Sequence, residues 1–336
     1  MKTVKRICAV LAGMVLFVAG ILKLMDPVGA GLVVGEYFNF LHLAFMAPLA
    51  KAVGVGMALL ETLVGAALIT GVAPRVTGIV SGVVLGLFTV LTLVLWLVNP
   101  AMDCGCFGEA VHLTHGQSLL KNVALCVLWG VAFIPLGSVP APRKVKYVSF
   151  LVATLSVIAF AVYSLVSIPL MDFTPFKPGE TLLQAQAYPD PDAPLLSVCD
   201  AEGEYRDELL ASGPVLVLSV FDEPSESVAD RIQNAASALE GAVKVLLVDA
   251  SGALEGAGFS ADRRTLMSLN RSSGGATLFY DGMVISKWPL RSLPSAECVS
   301  ELLSQEPAEA MMQQNTPKRL KFQGFLLYVF AVILLL

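Results

Sequence analysis

The residues in this chain best able to do chemistry are two cysteines one residue apart, in Asp103-Cys104-Gly105-Cys106-Phe107-Gly108. Exchange between a dithiol and a disulfide needs one thiolate to attack and one thiol to leave. A bridge across a single intervening residue is hard to close without strain, because disulfides prefer Cα separations of about 5.5–6 Å. Strained, accessible disulfides are the more oxidising and labile ones. One reading is therefore a redox-active Cys104/Cys106 pair, and a second is a static bridge or two inert thiols that shape the loop. A third follows from His112 and His115, which extend the pattern to Cys-x-Cys-x5-His-x2-His. Thiolate plus imidazole suits Zn2+ or Cu+, although this spacing is tighter than a zinc finger's, so the expectation is no metal. Asp103 is expected to disfavour a thiolate beside it. Gly105 and Gly108 permit backbone dihedrals closed to other residues, and with Asp103 and Phe107 they are read as shaping the loop.

The other cysteines carry less. Cys8 and Cys126 lie in apolar runs and read as small buried hydrophobes, while Cys199 and Cys298 are lone thiols far apart in sequence. A second polar pair is formed by Lys23 and Glu61, which fall within or beside apolar stretches. A charge at the centre of a bilayer costs about 2.5–3.5 kcal/mol on insertion scales and normally finds a partner. Pairing between the first two spans is expected, with snorkelling of Lys23 to the headgroups as the alternative.

These residues must be held by elements suited to lipid. Of the 336 residues 56% are hydrophobic and 15% charged, with mean hydropathy +0.73, against about a quarter charged in soluble domains. Runs near the ~20 residues that cross a bilayer occur at 7–25, 53–72, 76–98, 118–136 and 147–170. Residues 322–336 form a shorter sixth candidate, and 32–49 read as interfacial or re-entrant. Lys2, Lys5 and Arg6, then Arg75, then Arg143, Lys144 and Lys146 place the N-terminus in the cytoplasm by the positive-inside rule. The Cys-Gly-Cys loop and residues 171–321 are then extracytoplasmic, where a disulfide persists. Lys318, Arg319 and Lys321 oppose the rule. Gly78, Gly82 and Gly86 share one helix face and predict close helix packing, with a dimer face as the alternative. Residues 172–321 hold 22 acidic and 12 basic residues and the remainder five and ten, a balance that does not suggest nucleic-acid binding.

Residues 1–140 resemble the DoxX/MauE group of small four-span membrane proteins. The resemblance rests on Gly20-Ile21-Leu22-Lys23-Leu24-Met25-Asp26-Pro27, on Glu61, and most specifically on Asp103 to Gly108. It implies a redox-linked membrane role. MauE is implicated in maturing methylamine dehydrogenase, whose small subunit is rich in disulfides, and DoxX relatives are linked to terminal oxidase and quinol chemistry. Analogy with other four-helix thiol oxidases brings in a quinone as the partner that could accept electrons.

Beyond a fifth membrane helix within 141–170, residues 171–192 are Pro-rich and read as a semi-rigid linker. A soluble α/β domain over 193–310 follows. Strands are expected at 195–199, 215–221 and 243–249, helices at 225–240, 262–270 and 294–304, and a hairpin about Asp281-Gly282. This order, with Thr277 to Ile285, resembles a thioredoxin-like domain. Where that family carries Cys-x-x-Cys, however, the chain has Phe221-Asp222-Glu223-Pro224-Ser225-Glu226-Ser227, and Ala276 stands where a cis-proline is usual. A binding module is therefore expected there.

The fold class is thus an all-α transmembrane bundle followed by a soluble α/β thioredoxin-like domain. The function expected is thiol–disulfide exchange serving an extracytoplasmic protein client from the inner membrane, with the lipid bilayer as the other partner. The alternative is a non-enzymatic scaffold. A transporter is disfavoured, because no inverted repeat is evident.

Overall fold

The computed structural model describes every residue except 137, 138, 140, 183–192, 253, 255, 273 and 336. The Pro-Asp-Pro-Asp part of the expected linker lies outside the described residues. The chain divides into two compact units, residues 1–165 with 323–336, and residues 166–322.

The first unit is helical. α1 (Lys2–Met25) ends at Asp26, whose carboxylate accepts the amide N–H of Gly29 at 2.8 Å and so caps α2 (Pro27–Phe40). Pro27 suits the first helical position, where its missing N–H costs nothing. The Asp-Pro step therefore stops one helix and starts the next. α2 rises about 21 Å at 1.5 Å per residue, short of the ~30 Å hydrocarbon core. A 3-10 segment (Ala44–Leu49) leads into α3 (Ala50–Thr70), and α4 (Pro74–Val98), β1 (Cys106–Glu109), α5 (His115–Phe133) and α6 (Lys144–Val166) follow. Among the described residues five helical stretches are long and apolar enough to cross a membrane: Lys2–Met25, Ala44–Thr70, Pro74–Val98, His115–Phe133 and Lys144–Val166. The protein is a multi-pass membrane protein.

Glycines set the spacing of α1 and α3. A Cβ on Gly13 would lie 2.8 Å from the Gly65 carbonyl oxygen, and one on Gly65 would lie 2.5 Å from the Phe17 nitrogen. Such close approach is how helices associate where lipid supplies no hydrophobic drive. On α4, Gly78 and Gly82 seat the rings of Phe133 and Trp129 from α5, and Trp129 Nε1 donates to the Gly78 carbonyl at 2.8 Å, whereas Gly86 meets open space. Two of the three glycines on that face thus pack within the bundle.

α10 (Pro307–Leu335) contributes its apolar end, from Gln323, to this unit. Phe325 stacks on Phe160 at 4.4 Å and Lys146 Nζ donates to the carbonyls of Ile333 and Leu334. These two contacts run that end antiparallel to α6.

The second unit is a mixed five-stranded sheet with helices on both faces. Its strands are β2 (Pro214–Val220), β3 (Lys244–Asp249), β4 (Phe259–Ser260), β5 (Gly275–Tyr280) and β6 (Met283–Pro289), in the order β4-β3-β2-β5-β6. β2 pairs parallel with β3 and antiparallel with β5, and β5 turns into β6 at Asp281-Gly282. Side chains alternate across a strand. Val215 and Val217 therefore face one core with Leu266 and Leu269 of α8 (Arg263–Leu269). Leu216 and Leu218 face the other, with Ile232 of α7 (Glu226–Leu239) and Val299 of α9 (Ala296–Leu303). Burial on both faces explains the unbroken apolar run of β2.

Two details differ from expectation. Residues 195–199 form no strand: Ser197 has φ +55°, and the Asp207 carboxylate takes the N–H groups of Ser197 and Val198 at 2.9 Å each, withdrawing them from a ladder. Only Cys199 bridges, to Tyr205 and Ser260. Ser225 occupies the N-cap of α7 as its type predicts, but its hydroxyl makes no capping bond and pairs instead with Ser227.

Candidate functional site

The two thiols stand in the loop after α4. Asn99 ends that helix with φ +49°, and the chain reverses through Gly105 (φ +58°) and Gly108 (φ +62°), whose N–H returns to the Gly105 carbonyl at 3.1 Å. A Cβ on Gly105 would also strike Val33 of α2. Glycine is required there on both counts. The turn leaves Cys104 Sγ and Cys106 Sγ 3.2 Å apart, both as free thiols, with Cys104 buried and Cys106 partly so.

Five helices supply the walls of a cavity of about 60 Å³ under the thiols, each through residues at helical spacing. Lys23 comes from α1, Tyr37 from α2, Glu61 from α3, Phe88 and Thr92 from α4, and Lys121, Asn122 and Leu125 from α5. Lys23 Nζ lies 2.6 and 2.8 Å from the two carboxylate oxygens of Glu61, the paired arrangement, and 5.7 Å from the centre of the Phe88 ring. A carboxylate this deep is retained as an ion only with such a partner.

Tyr37 donates to the Cys104 carbonyl at 2.6 Å and lies 4.0 Å from Cys104 Sγ. Burial first, and then the neighbouring sulfurs, hold its phenol well above the usual range, so it remains a donor. Ser118 is fully buried, and its Oγ, without a hydrogen-bond partner at normal distance, is near enough to both sulfurs to favour their thiolates. Asn122 donates to Phe88 O and Thr92 Oγ1, and its Oδ1 is left without a partner at the cavity.

The two sulfurs differ in proton affinity. The hydrogen bond from Cys104 lowers the Cys106 thiol to about 5 against the opposing effect of burial, helped by the charges of Lys121 and Lys23. Cys104 is driven far above a normal thiol, first by that same bond and then by burial. The two sulfurs therefore titrate as a pair, with Cys106 favoured as the thiolate and Cys104 as the thiol. Asp103 is exposed and bound to His112 Nδ1 at 3.0 Å.

The histidines stand apart from the thiols. His112 bonds Asp103, and His115 bonds Asn99 Oδ1 and the Met102 carbonyl. Among the described residues no group of three or more His, Cys, Asp or Glu side chains is arranged to hold a metal ion. Phe107 packs its ring 5.1 Å below Lys121 Nζ.

Sequence reasoning missed Tyr37, Ser118, Lys121 and Asn122. Lys121 had a signal: it is a charge inside the run 118–136, open to the same argument as Lys23 and Glu61. Ser118, Lys121, Asn122 and Leu125 also repeat at one-face helical spacing. Tyr37 carried no signal beyond being polar-tipped in an apolar stretch.

Elsewhere Cys126 Sγ lies 3.3 Å from Thr89 Oγ1, and Cys8 and Cys126 pack against the bundle core. Burial raises the Cys298 thiol, and the Glu301 carboxylate adds to this. After β2, Asp222 pairs with Arg263 at 2.7 Å.

No curated protein and no solved structure matches the chain. Residues 1–137, which hold both thiols, the Lys23–Glu61 pair and every wall of the cavity, match the family model of Methylamine utilisation protein MauE.

Proposed function

We propose that Cys104 and Cys106 form a thiol–disulfide exchange site that passes a disulfide to a protein client. The observation that carries this reading is the 3.2 Å sulfur contact in which one thiol is held acidic and the other neutral. Stabilising the reduced thiolate makes a pair more oxidising, and ring strain in a one-residue disulfide acts in the same direction. A client thiolate attacks Cys106 Sγ, the more accessible sulfur. The Cys104–Cys106 bond breaks, and Cys104 leaves and takes a proton, as its buried site favours. The second client thiol loses its proton and attacks the client sulfur of the mixed disulfide, and Cys106 leaves as the thiolate. Two electrons pass from the client to the pair.

The basic residues flanking the spans support an inner-membrane placement with the N-terminus cytoplasmic and the thiols extracytoplasmic. The parallel β2-α7-β3 unit, joined through β2 to the β5-β6 hairpin, supports reading the second unit as thioredoxin-like. Lacking a thiol at 221–227, it would recruit the client rather than react with it. No step is assigned to a quinone.

The test is a trap. Cys104→Ser leaves Cys106 able to attack a client disulfide but removes the thiol that would resolve the adduct. Expected on a non-reducing gel is a reductant-sensitive, higher-mass species that is absent from the Cys104→Ser/Cys106→Ser double variant. A folded Cys104→Ser protein that gives no adduct in cells making its client would contradict the proposal.

A further inference from the structure

The Lys23–Glu61 pair stands in the wall of the cavity that the two thiols share, and the exchange steps give it no task. Glu61 is buried and binds Lys23 Nζ through both carboxylate oxygens, at 2.6 and 2.8 Å. Lys23 in turn lies against the loop that carries the thiols: a Cβ on Gly108 would sit 3.6 Å from both the Cα and the Cγ of Lys23. A carboxylate on α3 thus fixes an ammonium on α1, next to that loop. The other charged or titratable groups on this cavity are Lys121, Tyr37 and the two cysteines, so Glu61 is the one carboxylate among the described lining residues. A buried ion pair is often no more stabilising than apolar packing of the same volume. Its position beside two thiols gives this one something else to act on.

Reduction of a Cys104–Cys106 disulfide breaks the sulfur–sulfur bond, takes up two electrons and one proton, and leaves Cys106 favoured as the thiolate. The reduced pair therefore carries a negative charge that the disulfide does not. A cation nearby stabilises that charge and makes the disulfide more oxidising, and a carboxylate nearby does the reverse. Lys23 is among the groups that lower the Cys106 thiol, after Cys104 and Lys121. Glu61 both fixes the Lys23 ammonium and offsets its charge.

Resting on the exchange reading of these thiols, we propose that Glu61 is a positioning residue that holds Lys23 beside the thiol loop and, by offsetting its charge, sets how oxidising the Cys104–Cys106 disulfide is. Lys23 pulls the potential up and Glu61 limits that pull, so the two members of one ion pair act on the thiols with opposite sign.

The full chain in neutral detergent is equilibrated with mixtures of reduced and oxidised glutathione at neutral pH, glutathione supplying the electrons and becoming its own disulfide. The state of the pair is read as the mass an alkylating reagent adds to the peptide carrying both cysteines. Glu61→Gln is expected to raise the equilibrium constant for reduction about tenfold, or about 30 mV more oxidising. Lys23→Met is expected to lower it roughly threefold or more. A merely structural role would move both variants the same way. Removing one partner of a buried pair can prevent folding, so Lys23→Met/Glu61→Gln, which leaves neither charge unpaired, is measured beside them. Its constant is expected to fall below that of the wild type, because Lys23 is the partner that lies against the loop. Single variants that shift in the same direction or not at all would overturn the proposal, as would a double variant with the wild-type constant where a single variant does not fold. A wild-type pair that forms no disulfide at any glutathione ratio would instead remove the exchange site itself, and the role of Glu61 with it.

Discussion

The surroundings of the two sulfurs, 3.2 Å apart, differ. The contact with Cys104, and then the charges of Lys121 and Lys23, lower the Cys106 thiol, while the same contact and then burial raise the Cys104 thiol. A depressed pKa keeps Cys106 charged from neutrality down to about 5, and its reactivity is lost as pH falls through that value. Alkylation of Cys106 by iodoacetamide in the Cys126→Ser background is therefore expected to vary little between pH 6.5 and 8. A free thiol, with pKa near ~8.5, would speed up roughly tenfold or more over the same range. Lys121→Met is expected to move the midpoint upward and slow alkylation several-fold at pH 6.5, since an opposite charge nearby favours the ionised form. A rate in the wild type that climbs steeply to pH 8.5 would refute the thiolate assignment. The Cys-x-Cys pair and the Lys23–Glu61 pair could be read from the sequence, because each is an unusual residue type in an apolar setting. Tyr37 and Ser118 could not, because their roles depend on which helices meet, and no local spacing encodes that.

Helix placement fixes the site through a few glycines. Gly13 and Gly65 let α1 and α3 approach closely, and that approach brings Lys23 to Glu61. Gly86, on the same face as Gly78 and Gly82, meets nothing within 4 Å. Gly65→Val is expected to destabilise the bundle by about 1–3 kcal/mol, as overpacking does, and Gly86→Val by less than about 0.5 kcal/mol, as at sites away from packing. Thermal unfolding in detergent checks both, and similar losses for the two variants would contradict this account of the α1–α3 contact. The sequence marked five membrane-length runs correctly because hydropathy over some 20 residues is a strong signal. It did not resolve α2, whose start is set by the Asp26 cap and Pro27. Nor did it foresee that Asp207 would take the amides of 197 and 198 and prevent a strand. In each case one carboxylate binds backbone N–H groups, which composition and periodicity do not register.

At the scale of the molecule, a multi-pass helical unit carries the Cys104/Cys106 pair, and a mixed α/β unit carries no cysteine at the end of its central strand. That division is the basis for assigning chemistry to the first unit and recruitment to the second. It makes the Cys104/Cys106 pair the point on which the functional account stands. The most direct measurement is the redox state of that pair in living cells, fixed by acid quenching and read as the mass added by an alkylating reagent. The account predicts that oxidised and reduced forms coexist and that the reduced fraction rises when reduced client accumulates or a membrane-impermeant reductant is supplied. A pair that stays in one state under all these conditions, with Cys104→Ser and Cys106→Ser proteins still supporting client maturation, would contradict it.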